Sequence, residues 1–354
     1  MKLKNIISIV SFLFIVVACS MEEDTMMNDI NKEVQESSKA VATFNISFST
    51  PAQAGVQTRS SSISSGESVL GTENEYSVKN CYVAVFDAVA GNLLASCWNG
   101  KDEMGTGSIS DKLVTYSLNK TITIKVPEKE TDRPKLRFVA VAQINPNEGQ
   151  YAEMSSLEDL QNCTTYEDLM NCPLQEQPTV LVKVGEVIMS DYNATTSVVN
   201  NISSKVEIPV YQRSAAVELT SFEVENGNDV SVVGLQLINV ALTAKVKGAI
   251  TDDIENPYPM YGRDTRFYAY ENPATNSTKT KLVITYKTGG VEYERTYTIK
   301  TPANNNLGYV ESVEAGKLYK LHVKITHVSE DVTFEIVDWI PNTIDLGEIN
   351  GSKN

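Results

Sequence analysis

The chain has 354 residues and carries 45 acidic against 30 basic side chains, a formal net charge of −15. That balance, with no stripe of Lys and Arg, excludes nucleic acid as a partner, because such binding draws on clustered cations that displace counterions from phosphate. Only two histidines, His322 and His327, are present, which leaves little for acid–base catalysis near neutral pH.

The first residues read Lys2 and Lys4, an apolar run from Ile6 to Ala18, and then Cys19. A charged start, a short apolar stretch and a small residue before the cysteine make an export signal over residues 1–18. The run falls short of the roughly 20 residues a membrane-crossing helix needs, so it is expected to be removed. Val16-Val17-Ala18-Cys19 resembles a lipobox, the site where bacterial lipoprotein precursors receive a diacylglyceryl group on the cysteine thiol and are cut before it. The resemblance implies that Cys19 anchors the chain to outer-membrane lipid. At ~0.8 kcal/mol per buried methylene, two or more acyl chains hold where one binds only marginally. Ser20 to Asp24 then form an acidic cluster, read equally as a surface-export signal or a solvated start to a linker over 19–40.

Strand patterns follow. Ala42, Phe44, Ile46 and Phe48 alternate with Thr43, Asn45 and Ser47, giving a strand over 42–48 whose apolar face needs a groove. Residues 49–75 shift to Ser, Gly, Thr and Gln and cannot bury enough apolar surface to offset their ordering entropy, which predicts a mobile loop. Arg59, between Thr58 and Ser60, sits in that loop, where proteases cut readily. Further β-rich runs are read at 82–86, 121–126, 136–142 and 180–189. Two hydroxyl-x-x-Glu spacings, Ser155 to Glu158 and Thr164 to Glu167, predict short helices over 156–162 and 165–171 that cover a sandwich end. Strand runs resume at 206–211, 215–225, 230–242, 267–270, 281–287, 291–300, 317–326, 332–340 and 343–349. No helices separate these runs, so the expected fold class is all-β: two antiparallel β-sandwich domains, over 41–209 and 210–354, with a small helical insertion in the first.

Beyond Cys19 the cysteines are Cys81, Cys97, Cys163 and Cys172. An exported chain meets an oxidising compartment, so disulfides are permitted. Cys81 and Cys97 flank the expected turn at 87–92 and would face each other across a hairpin. Free buried cysteine is the alternative for both pairs.

Reactive constellations are missing. His322 and His327 lie five apart on one expected strand and face opposite sides, so they do not chelate one ion. Glu292 and Glu294 read as solvent-facing hairpin positions, and Asp252, Asp253 and Glu255 as a solvated turn without the glycine and bidentate glutamate of a calcium loop. There is no phosphate loop, metal-spaced cluster or nucleophile elbow, so the reading is a non-enzyme without metal or cofactor.

Taken together, the lipobox at Cys19, the Thr58-Arg59-Ser60 loop, and the runs 78–87, 208–219, 266–272 and 331–339 resemble the fimbrillin family, the major and minor pilins of type V fimbriae. The resemblance spans nearly the whole mature chain and implies two transthyretin-like sandwiches on a lipoprotein precursor passing through the periplasm to the outer membrane. It further implies that an Arg-specific protease cuts between Arg59 and Ser60. That cut would remove the first strand with Ala42, Phe44, Ile46 and Phe48, and open a groove for a neighbouring subunit's C-terminal strand. The donor here would be 343–349, after Pro341, with Ile344, Leu346 and Ile349 as its apolar teeth. The implied partners are other pilin subunits, outer-membrane lipid, the protease and a host or bacterial surface receptor for adhesion. Two other roles fit a lipidated acidic sandwich: an uncleaved fimbrial anchor or accessory subunit, and a surface glycan-binding lipoprotein of a nutrient-uptake system. The latter would use exposed aromatics drawn from Trp98, Trp339, Tyr258, Tyr261, Tyr268 and Tyr270.

Overall fold

The computed structural model describes residues 39–51, 78–100, 107–110, 113–142, 157–174, 181–196, 203–227, 229–241, 244–249, 260–262, 266–302, 308–326, 330–338 and 349–350. The first half supplies strands β1 (Lys39–Pro51), β2 (Cys81–Asp87), β3 (Leu93–Asn99), β4 (Ser108–Ser110), β5 (Leu113–Pro127), β6 (Leu136–Ala142), β7 (Lys183–Asp191), β8 (Ser203–Pro209) and β9 (Tyr211–Gln212). Two one-and-a-half-turn helices, α1 (Leu157–Asn162) and α2 (Tyr166–Asn171), stand between β6 and β7. The second half supplies β10 (Ala215–Val224), β11 (Ser231–Ile238), β12 (Met260–Gly262), β13 (Arg266–Ala269), β14 (Lys281–Thr288), β15 (Val291–Thr298), β16 (Thr301–Pro302), β17 (Tyr309–Val310), β18 (Lys317–Ile325), β19 (Glu330–Asp338) and β20 (Ile349–Asn350).

Four sheets make two sandwiches. In the first, β4-β5-β1-β8 packs on β7-β6-β2-β3, the latter extended at its β7 edge by β9 and β20. In the second, β13-β10-β18-β19 packs on β12-β11-β14-β15. One core runs from Ala40 to Val210 and another from Ala215 to Val323. The all-β class follows directly. The expectation of uniformly antiparallel sheets needs correction, because β1 runs parallel to β8, β10 parallel to β18 and β20 parallel to β7. In both sandwiches the first strand lies beside a late one, and the intervening strands of the facing sheet make the long crossover that a parallel pair requires.

The strand β2, Cys-Tyr-Val-Ala-Val-Phe-Asp, is buried along almost its entire length. Its alternate residues Cys81, Val83 and Val85 enter the first core, while Tyr82, Ala84 and Phe86 enter a separate cluster on the opposite face of the sheet. A sheet covered on both faces reads as a continuous apolar run. The cover on the second face is the helical island, through Leu160, Leu169 and Met170, together with Ala241, Ala244, Val246 and Tyr270 from the second half of the chain. The helices therefore lie on a sheet face and build a third core, instead of covering a sandwich end. α2 is capped by Thr165, one residue later than the expected box. Its hydroxyl accepts from Asp168 N at 3.1 Å, and the Asp168 carboxylate accepts from Thr165 N at 3.1 Å.

The two halves meet at this third core. The segment 244–249 docks along the end of α2, with Leu174 N to Ala244 O at 2.6 Å, Val246 N to Cys172 O at 3.0 Å and Lys247 N to Met170 O at 3.0 Å. Arg213, just past β9, fills the corner: Nε donates to Lys245 O at 3.1 Å, and Nη2 to Gly248 O at 2.9 Å and to Glu271 Oε1 at 2.8 Å.

Candidate functional site

The strand β1 is the centre of the candidate site. It is not an edge but lies between β5 and β8, paired antiparallel from Lys39↔Pro127 to Pro51↔Leu113 and parallel from Thr43↔Ser203 to Ser49↔Pro209. Opposite Ile46, the β5 residues Leu118 to Lys120 bulge out and the register resumes at Ser47↔Ser117. The strand reaches Pro51, so the segment expected to be a loop from 49 onward starts later, and residues 52–77 lie outside the described residues.

Ala42, Phe44 and Phe48 are 0% exposed and Ile46 is 2% exposed. The Phe44 ring meets Phe138 of β6 edge-on at 5.0 Å between centroids and Tyr192 at 5.6 Å. The expected polar face is only partly wet: Asn45 is exposed, but Thr43 and Ser49 are buried. Distant chain runs beside this strand: Val41 and Thr195 exchange both backbone bonds, and Val210 N donates to Ser49 O at 2.8 Å. Asn45 adds a side-chain bond to Ser203 Oγ at 2.7 Å across to β8.

Removing such a strand has a calculable consequence. Three large apolar side chains leave their pocket, at ~1.5–3 kcal/mol each, and two rows of backbone donors and acceptors lose their partners. A groove of that kind would offer an extended chain backbone partners on both sides and pockets for alternate side chains.

The remaining expected site residues are placed as follows. Cys19, Arg59, Ser60, Ile344 and Leu346 lie outside the described residues, as do Trp339, Tyr258, Asp252, Asp253, Glu255 and His327. Ile349 is in β20, where it pairs with Met189 on the outer edge of β7. Among the described residues of the tail, Ile349 and Asn350 join the first sandwich of their own molecule. Gly185 of β7 permits the close crossing beside this edge: a Cβ there would fall 1.9 Å from Pro209 O.

All four described cysteines are free thiols and buried. The expected facing of Cys81 and Cys97 is corrected by the register: Cys81 pairs with Asn99 and Val83 with Cys97. The turn sets Phe86 opposite Leu93, and a further one-residue shift between Val85 and Phe86 leaves the two cysteines diagonal. Burial, then the neighbouring Cys97, pushes the Cys81 thiol far up.

Near the sandwich junction a small charged network surrounds Glu186. Its Oε2 accepts from Tyr166 Oη at 2.8 Å and Arg137 Nη1 at 3.3 Å, and its Oε1 from Lys247 Nζ at 3.0 Å. Burial alone would raise the carboxyl, but the Tyr166 hydroxyl and the Lys247 and Arg137 cations outweigh it and hold it below the usual glutamate range. Arg137 also lies over the Tyr166 ring, 4.2 Å from its centroid. This network was not read from the sequence.

Among the described residues no three His, Cys, Asp or Glu side chains converge on a metal position. His322 is bonded to the hydroxyls of Thr220 and Ser221. Glu292 pairs with Lys287 at 3.5 Å across the exposed β14–β15 hairpin, and Glu294 faces Thr285. Of the aromatics proposed to stack sugars, Trp98 packs against the third core and Tyr270 is 1% exposed.

No protein-family model matches the chain, and no curated protein matches it in sequence. Solved structures do. A fimbrial assembly protein from Parabacteroides distasonis is similar over 83% of this chain and 98% of its own, at 17% identity and a TM-score of 0.51. A candidate cell-adhesion protein from the same species covers 84% and 98%, at 13% identity and a TM-score of 0.53. The chain shares their fold. A candidate cell-adhesion protein from Bacteroides eggerthii is similar as well, at 14% identity, 84% and 96% coverage and a TM-score of 0.50. At these identities the likeness is one of fold, and it extends across nearly the full length of the solved chains.

Proposed function

We propose that the chain is a structural, non-enzymatic subunit of a cell-surface fimbrium, exported as a lipoprotein through Cys19 and polymerised by strand exchange. The observation that carries this reading is the place of β1. It is the one strand of the first sandwich that both begins the described fold and lies between two others, and the Ser-rich stretch holding Arg59 follows it directly. Cutting after Arg59 would detach β1 from the rest of the fold and leave a groove lined by β5, β8, Phe138 and Tyr192. Residues 343–349 of a second copy, with Ile344, Leu346 and Ile349, are the proposed occupant. Among the described residues, the tail meets its own molecule where Ile349 and Asn350 pair with β7 in irregular register. A contact of tail to groove is head-to-tail and does not close, so its repetition makes a fibre. The fimbrial and adhesion neighbours support the same role.

The test is limited proteolysis of the lipid-free precursor with an Arg-specific protease. The expected result is a new N-terminus at Ser60, loss of residues 39–51 from the folded particle and a ladder of multimers in native gels. Arg59→Ala should stay intact and monomeric. A cut chain that keeps its first strand and remains a monomer would overturn the proposal.

A further inference from the structure

The helical island contains a repeat. Glu158-Asp159-Leu160-Gln161-Asn162-Cys163 recurs nine residues on as Glu167-Asp168-Leu169-Met170-Asn171-Cys172. Each copy is one helix and the residue that ends it. Leu160 and Leu169 are both fully buried, and each cysteine amide bonds back to its leucine carbonyl, Cys163 N to Leu160 O at 3.3 Å and Cys172 N to Leu169 O at 3.2 Å. Residues three apart share a helix face, so each copy aims its thiol at the floor that takes its leucine. That floor is Tyr82, Val139 and Val141. Both thiols belong to that one cluster and lie close enough to act on each other's protonation, while Cys163 donates to Asp159 O at 3.2 Å and Cys172 to Pro173 O at 3.9 Å.

We propose that Cys163 and Cys172 are closed as a disulfide in the exported protein, and that this bond locks the island on which the second sandwich docks. Both S–H bonds break, one S–S bond forms, two protons leave, and the electron pair reduces the disulfide of a thiol oxidoreductase to its dithiol, through a mixed disulfide. Burial pushes both thiols up, Cys172 to about 12, so few thiolates exist in the packed state and closure belongs before the island seats on its sheet. The mechanical effect follows from Cys172. Its carbonyl accepts from Val246 N, and the neighbouring Met170 carbonyl accepts from Lys247 N. A bond to Cys163 ties this docking end of α2 to α1.

The proposal rests on the export reading for its oxidant, and the experiment separates the two. The full-length protein is recovered from the producing cells by fraction, denatured, alkylated with and without prior reduction, digested and weighed. In the envelope fraction the expected result is alkylated Cys81 and Cys97, and a Cys163–Cys172 peptide pair lighter by two hydrogens until it is reduced. Alkylation of all four without reductant would overturn the proposal. Recovery of the chain only in the cytoplasmic fraction would count against export instead. The pairing is then decided by refolding the purified chain in a glutathione redox buffer, where failure to link Cys163 to Cys172 overturns it. For the docking half, hydrogen exchange at the Val246 and Lys247 amides should be several-fold faster in the Cys163→Ser/Cys172→Ser protein than in the oxidised one. Equal exchange would overturn that half.

Discussion

Phe44 shows how much one side chain contributes to the first core. It is fully buried on β1 and meets two aromatic edges, Phe138 and Tyr192. Phe44→Ala should leave a cavity that backbone paired on both sides cannot collapse into, and lower the stability of the first sandwich by about 3–5 kcal/mol. Urea unfolding followed by amide exchange should place the loss in β1, β5 and β8 and leave the second sandwich unchanged. That Phe44 belongs in a core is legible from alternation alone, since Ala42, Phe44, Ile46 and Phe48 repeat with the period of a strand. The burial of Thr43 and Ser49 on its other face is not, because the chain that bonds beside β1 there, at Thr195 and Val210, comes from about 150 positions away in the sequence. Arg213 escaped notice for a similar reason. Its three partners lie beyond residue 244, and only its position between two apolar strands could have hinted at a buried guanidinium.

At the level of elements, local signals placed the helices and long-range ones misled. Threonine before Tyr166 caps α2 through its own side chain, a device visible in a few residues. Thr165→Ala should cost about 1 kcal/mol and Thr165→Ser much less, read as faster amide exchange through α2 and a lower unfolding midpoint. What the helices do could not be read in this way. They were expected at a sandwich end, yet they lie on the outer face of β2 and β6, and the apolar continuity of Tyr82 to Phe86 was the available sign that this face would be covered. Parallel pairing of β1 with β8 and of β10 with β18 was likewise hidden, since strand direction depends on the path of the whole crossover and leaves no trace in either strand's alternation. The Cys81–Cys97 expectation failed on register: the turn sets Phe86 opposite Leu93, already one residue off, and the irregularity at Val85 adds one more.

On the scale of the whole molecule, the two sandwiches are joined by the third core, the Arg213 corner and the Glu186 network. Because the folded Glu186 carboxyl is held low, its contribution is present above the ordinary glutamate range and is lost as pH falls through its depressed value. Stability should therefore drop on acidification below that range, and Glu186→Gln should be less stable than wild type near neutrality but converge with it in acid. Thermal unfolding of both proteins across pH checks this. The presence of two sandwiches was legible from strand count and the lack of crossover helices, whereas the junction was not, being made by residues drawn from many separate segments. One arrangement within the first sandwich reaches beyond a single molecule. A strand that runs against β5 and along β8 leaves both ladders as they stand only if its replacement keeps the same heading, since a reversed visitor would have to run along β5 and against β8. Any fibre grown on that slot would have a front and a back, and every subunit in it would point the same way.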